Sequence, residues 1–166
     1  MGEWLQAISF FQKGDKAAGH EEIDRLRRQN LGLALNVEGW VAYAGYEGLP
    51  DDDAALSKFE GAIKAGDRYV WGAAMILRER GEWRRFFEQL ELGARRGDPD
   101  STEELAYWTE YGKSDGKGIL VAPDHARTER LDAVAAASGH SVGLLNYAVD
   151  LRYHSDPGLT TSAHVT

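Results

Sequence analysis

A short residue pair recurs where helical segments end, and its spacing constrains the fold more than any other feature. Gly66-Asp67, Gly97-Asp98 and Gly139-His140 each follow an alanine- or arginine-rich stretch, and Gln29-Asn30 is a degenerate copy. The second members lie at positions 30, 67, 98 and 140, which are 37, 31 and 42 residues apart. Such a period is typical of helix-hairpin repeats, in which each hairpin buries its apolar stripe against its neighbours. We therefore expect a stacked solenoid that presents a surface.

Apolar residues recur at helical spacing along the chain, and strand signals are nearly absent. The one short apolar run bounded by glycine, residues 118–121, is predicted to lie in the loop 112–123. The residues that define the predicted inner helix faces include Ile8, Phe11, Ile23, Leu26, Ala34, Val37, Val41, Val70, Ala73, Ala74, Leu77, Phe86, Phe87, Leu90 and Ala94. The pattern predicts an all-α fold of antiparallel helix hairpins.

The repeat spacing also predicts the domain organisation. We expect one helical-repeat domain over residues 1–154, followed by a disordered tail over residues 155–166, which is rich in Ser and Thr. The domain would comprise an N-terminal hairpin at 1–29, repeats at 30–66, 67–97 and 98–139, and a capping helix at 140–154.

Glycines fall inside several predicted helices, where each costs about 1 kcal/mol relative to alanine. These are Gly39, Gly45, Gly61, Gly72, Gly93 and Gly143. Close crossing of helices would offset that cost, because a missing side chain lets one backbone approach another. The glycines therefore favour a tightly stacked repeat.

Composition restricts the class of function. The chain has no cysteine, which excludes disulfides and thiolate metal sites, and no long apolar segment or signal-peptide pattern, so a cytoplasmic location is the simplest prediction. Its 27 acidic residues exceed its 19 Lys and Arg, for a net charge of −8. That sign argues against nucleic acid and is compatible with a basic partner, although the charge can also serve solubility alone.

Two copies of the repeat resemble a known family. One carries Ala55, Phe59, Ala62, Ile63 and Gly66, and the other carries Leu131, Ala135, Ala136 and Gly139-His140. The loop Gly116-Lys117-Gly118-Ile119, with Asp124 and Ala126 after it, is similar to the family's loop. These residues resemble the Sel-one-like repeat, a relative of the tetratricopeptide repeat. The resemblance implies a short right-handed solenoid that serves as an adaptor or inhibitor in protein complexes, without cofactor or shared catalytic residues.

Aromatic residues supply a candidate binding surface. In solenoids of this type the first helix of each hairpin lines the concave face, and Trp, Tyr and Arg often carry binding energy at interfaces. The predicted partner-binding residues are Trp40, Tyr43, Glu47, Trp71, Arg78, Glu104, Tyr107 and Tyr111. The alternative is that these rings fill the core between repeats.

The first functional hypothesis is a non-enzymatic module that binds a protein or peptide, in a specific version an inhibitor or immunity-type protein of bacterial or phage origin. The rival is a small enzyme with a carboxylate and histidine pocket formed by Asp124, His125, His140 and Asp150. A third possibility is a structural oligomer. No two histidines are four residues apart as in a helical zinc motif, so no metal or cofactor is expected.

Overall fold

The computed structural model describes residues 3 to 138, which form helices joined as hairpins. The elements are α1 Glu3–Gln12, α2 Lys16–Gln29, α3 Leu31–Ala44, α4 Asp52–Lys64, α5 Trp71–Glu79, α6 Trp83–Arg96, α7 Pro99–Tyr111, β1 Lys113–Ser114, β2 Ile119–Val121 and α8 His125–Ala137. Each odd-numbered helix packs against the helix that follows it. The all-α prediction is confirmed. The predicted capping helix, the tail, Gly139-His140 and Gly143 lie outside the described residues.

Packing divides the chain into two compact units, Met1–Asp98 and Pro99–Thr166. The first contains helices α1 to α6, and the second contains α7, the two short strands and α8. The assignment of residues 1–154 to one domain stays a prediction. Among the helices of residues 3 to 138, none is long and apolar enough to cross a bilayer.

The core of the first unit follows the predicted faces. In α1 to α3 one cluster of buried residues consists of Ala7, Phe11, Ile23, Leu26, Ala34, Val37 and Val41. In α5 and α6 the buried residues include Val70, Ala73, Ala74, Leu77, Phe86, Phe87 and Leu90. Trp4 keeps 36% of its surface exposed at the start of α1. The helical period therefore identified most of this core correctly.

Phe59 on α4 is, with Phe86, one of the two largest fully buried side chains of this unit, and it explains two of the helix-interior glycines. A Cβ atom on Gly39 of α3 would lie 2.5 Å from the Phe59 ring, and one on Gly72 of α5 would lie 2.6 Å from it. The predicted approach of two backbones is therefore wrong at these positions, since an aromatic ring fills the space. Gly45 is not inside a helix, because it ends α3 with a φ of +68°.

The recurring Gly-Asp pair is a helix-terminating motif. Gly66 and Gly97 have φ values of +92° and +78°, which favour glycine. The N–H of Asp67 donates to Ala62 O at 3.0 Å, and the N–H of Asp98 donates to Gly93 O at 2.9 Å. These bonds, with the shorter-range bonds of the glycine N–H groups, satisfy carbonyls that a helix end would otherwise leave unpaired. The predicted helix ends at these two pairs are confirmed.

The aspartates of both pairs are buried, and the side chain of Asp98 has a second role. Asp98 is fully buried, and its Oδ2 accepts hydrogen bonds from the N–H groups of Val70 at 2.9 Å and Trp71 at 3.0 Å. The aspartate after α6 therefore caps the start of α5, the first helix of the same hairpin. Arg96 adds a bond between hairpins, because its Nη1 donates to Ile63 O at 3.0 Å and Asp67 O at 2.6 Å.

The burial of Asp67 makes the stability of the fold depend on pH. Burial raises the pKa of this carboxyl, although hydrogen bonds from Tyr69 N–H and the Asn36 side chain oppose the shift. The folded protein therefore holds a proton at pH values where the unfolded chain has lost it, and stability falls as the pH rises through this interval. We expect Asp67→Asn to be more stable than the unchanged protein at pH 7, with the difference shrinking toward pH 3. Urea unfolding followed by circular dichroism gives the free energy of unfolding of the two proteins across this pH range. A difference between them that grows toward low pH would contradict a raised pKa for Asp67.

A short hairpin replaces part of the predicted loop in the second unit. Strand β2 pairs antiparallel with β1, with Lys113 opposite Val121 and Ser114 opposite Ile119. The prediction that residues 118–121 lie in a plain loop is wrong. Pairing with β1 was not visible in the sequence because Lys113–Ser114 is too short to show alternation.

Candidate functional site

Helices α3 and α5 lie side by side and run in the same direction. Near the start of α5, Asn36 Nδ2 donates to the carbonyl of Tyr69 at 3.0 Å. Seven residues further along α3, the Tyr43 hydroxyl donates to Oε1 of Glu79, the last residue of α5, at 3.3 Å. The first helices of two successive hairpins therefore form one surface in the first unit.

The predicted binding residues of this surface are partly buried. The Trp40 ring lies 5.1 Å from the Phe59 ring and 5.8 Å from the Tyr43 ring between centroids, with an edge-on orientation in both pairs. The Arg78 guanidinium lies 5.5 Å from the centroid of Trp71. Because Trp40 packs on the buried Phe59 ring while part of it stays accessible, the core and the surface interpretations both apply to Trp40.

Tyr43 is held as a hydrogen-bond donor. Burial raises the pKa of its hydroxyl, and the negative charge of Glu79, which accepts its hydrogen bond, raises the pKa further. Asp52 adds to this effect and Arg78 opposes it. The hydroxyl therefore stays protonated at neutral pH and keeps the link from α3 to α5.

Glu47 does not belong to the face of Trp40 and Tyr43 on one helix. Because α3 ends at Ala44, Glu47 lies in the following turn, where its Oε1 is 2.5 Å from His20 Nε2 of α2. The prediction that Glu47 lies on the first helix of its hairpin, together with Trp40 and Tyr43, is wrong. The positive φ of Gly45, which turns the chain away, is the cause.

The predicted residues of the second unit are much more exposed. Tyr107 and Tyr111 on α7 have 54% and 58% of their surface exposed, and their ring centroids are 4.9 Å apart. The opposite side of α7 is buried through Ser101, Thr102, Leu105, Ala106 and Thr109. The two rings therefore form a surface pair on a helix whose other side is anchored.

Carboxylates share the outer side of α7 with these rings. Since each residue turns a helix by about 100°, six residues fall within an arc of about 120°. We call this set the α7 face: Asp100, Glu103, Glu104, Tyr107, Glu110 and Tyr111. Helix α7 contains no Lys or Arg. The sequence reasoning missed Asp100, Glu103 and Glu110, although the helical period around Tyr107 would have identified them.

Neighbouring side chains hold two of these carboxylates in place. Trp108 Nε1 donates to Glu104 Oε1 at 3.0 Å, and the Trp108 ring lies 5.3 Å from the Tyr107 ring. Glu110 Oε2 lies 2.8 Å from His125 Nδ1 of α8. The α7 face is therefore ordered by contacts within its own unit.

Two residues of the alternative enzyme pocket, Asp124 and His125, form local contacts. Asp124 Oδ1 accepts from Arg127 N–H at 2.9 Å as the N-cap of α8, while His125 is placed between Glu110 and Glu129. His140 and Asp150 lie outside the described residues. Over residues 3 to 138 no group of three His, Asp or Glu side chains is arranged to hold a metal ion.

The sequence reasoning also missed an open cleft in the first unit. The cleft is lined by Leu49, Pro50, the acidic run Asp51–Asp53 and Arg80. Arg80 Nη2 binds Asp53 Oδ1 at 2.7 Å, and Asp51 Oδ1 accepts from Ala54 N–H at 2.9 Å as the N-cap of α4. Three of the four charged residues of this cleft, Asp51, Asp53 and Arg80, are therefore engaged in bonds within the fold.

A solved structure shares this fold. It is the crystal structure of a protective antigen present in uropathogenic Escherichia coli strains, which displays an SLR, or Sel-one-like repeat, fold. The match covers 87% of this chain at 17% sequence identity, with a TM-score of 0.63. This chain spans about a third of the antigen's length, 32%. No family model and no curated protein matches the chain. The Sel-one-like repeat fold, predicted from the repeat residues, is confirmed.

Proposed function

We propose that this chain, which has the Sel-one-like repeat fold, is a non-enzymatic module that binds a protein or peptide through the first helices of its hairpins. The observation that carries the proposal is the pair Tyr107 and Tyr111, both more than half exposed on an anchored helix. Tyrosine supplies large contact area at low cost in side-chain entropy, and it is enriched among residues that dominate binding energy.

The surface of α3 and α5 supports the same proposal. Trp40 and Tyr43 are held by ring contacts and by the hydrogen bond to Glu79, so little freedom remains to be lost on binding. Preorganisation of this kind raises affinity because it lowers the entropic cost of association. Trp71 and Arg78 would contribute from α5, and Glu47 from the turn after α3.

More specifically, the chain would act as an adaptor or inhibitor that binds a basic partner. The net charge of −8 and the carboxylates of the α7 face support a basic partner. The immunity-type role in a bacterial or phage system, and residence in the cytoplasm, rest on size and composition and stay predictions.

Removal of the exposed rings is expected to release the partner while leaving the fold intact. We expect Tyr107→Ala and Tyr111→Ala each to weaken binding by at least 2 kcal/mol, about 30-fold, because both rings would be buried at the interface. The partner is captured from a lysate of the source organism, identified by mass spectrometry, and titrated in purified form by calorimetry.

Trp40→Ala tests the surface of α3 and α5 in the same binding experiment.

Val134→Ala is the control for the two tyrosine variants, because Val134 is 53% exposed on α8 and lies outside the α7 face. Partners that both tyrosine variants retain at full affinity would show that binding, if any, uses another surface.

A further inference from the structure

The α7 face combines two features that together select one ligand chemistry. The rings of Tyr107 and Tyr111 are exposed side by side, and the same face carries four carboxylates and no cationic residue of its helix. An aromatic ring attracts a cation to its face, and nearby carboxylates strengthen that attraction. Exposed rings and carboxylates on one face together favour a cationic group on the partner.

Cationic side chains of this chain already contact its aromatic rings, and one of them is a lysine, since Lys113 Nζ lies 5.4 Å from the centroid of Trp108 beside the α7 face. The Arg68 guanidinium lies 4.6 Å from the centroid of Tyr69, and that of Arg78 lies 5.5 Å from the centroid of Trp71. In the first case the arginine also donates to the tyrosine hydroxyl. A planar guanidinium can stack on a ring and bind a carboxylate at its edge, whereas a lysine ammonium forms no stacked plane.

We infer that the α7 face binds an arginine-containing segment of a partner protein. A guanidinium would stack on Tyr107 or Tyr111, and the carboxylates around the rings would accept its N–H groups. This inference rests on the proposed function, for which it names the chemistry of the partner. Glu110, oriented by His125, and Glu104, oriented by Trp108, provide fixed acceptors on two sides of the tyrosine pair.

The test uses the full chain and defined peptides. A fluorescein-labelled heptapeptide with arginine at alternate positions and glycine between is titrated by fluorescence anisotropy, beside the equivalent lysine peptide. We expect the arginine peptide to bind several-fold more tightly than the lysine peptide, because only arginine stacks. We expect Tyr107→Ala to weaken arginine-peptide binding about fivefold to tenfold and to reduce the preference for arginine over lysine.

A charge pair of variants separates this face from general attraction to an acidic protein. Glu103→Gln is expected to weaken arginine-peptide binding about twofold to fivefold, while Glu88→Gln, an identical change on the exposed side of α6, leaves it unchanged. Circular dichroism confirms that each variant is folded.

Three results would overturn the inference: no binding of the arginine peptide at 1 mM, equal binding of both peptides, or equal losses for the two charge variants. The proposed function would survive any of these if the captured partner still requires Tyr107 and Tyr111. Loss of that requirement together with intact arginine-peptide binding would instead overturn the proposed function alone.

Discussion

Phe59→Ala is expected to lower the free energy of unfolding by about 3–5 kcal/mol, because it empties the space between three helices. The ring is buried on α4 and fills the positions left open by Gly39 of α3 and Gly72 of α5. Neighbouring backbone can only partly collapse into such a cavity. Guanidinium unfolding followed by circular dichroism gives the change.

A second substitution distinguishes this packing from ordinary loss of apolar surface. Gly72→Ala alone should destabilise the chain by about 1–3 kcal/mol, because the new Cβ would lie 2.6 Å from the Phe59 ring. Combined with Phe59→Ala, the same change should cost much less. Strictly additive effects of the two substitutions would show that the ring and the glycine do not share this space.

Asp98→Ala is expected to cost about 2–4 kcal/mol, because it removes the acceptor for two backbone N–H groups at the start of α5. Asp98→Asn should cost less, since its side-chain carbonyl can still accept. The free energy of unfolding of both variants is measured by the same denaturant titration.

Asp53→Ala is the control for a carboxylate that forms an exposed ion pair. It pairs with Arg80 at the surface, and its removal should change stability by less than about 1 kcal/mol. Similar losses for Asp98→Ala and Asp53→Ala would contradict the capping role of Asp98.

The hairpin architecture was predictable because it depends on local signals. Glycine at positions 66 and 97 marks the left-handed ends of helices, and the 3.6-residue period marks the buried faces of α5 and α6. The β1–β2 hairpin was missed, since two or three residues carry too little pattern. The partners of Gly39 and Gly72 were also missed, because periodicity shows which side of a helix is inward but not what it meets.

In the candidate site, the sequence likewise could not show which aromatic side chains are buried and which are exposed. Trp40 and Tyr107 were equivalent in the sequence, as aromatic residues at the first helices of hairpins. Phe59 reaches Trp40 from another helix and buries part of it, whereas Tyr107 remains 54% exposed. Exposure therefore depends on contacts between segments distant in sequence, which a helical period does not show.

The boundary between the repeats at Gly66-Asp67 is crossed by several interactions. Phe59 before it packs on Gly72 after it, Asn36 binds Tyr69 O, and Arg96 reaches back to Ile63 O. A fragment cut at this boundary would leave a phenylalanine ring and backbone carbonyls open to water. We therefore expect the hairpins on the two sides of Gly66-Asp67 to unfold together, so that a single copy expressed alone would not fold.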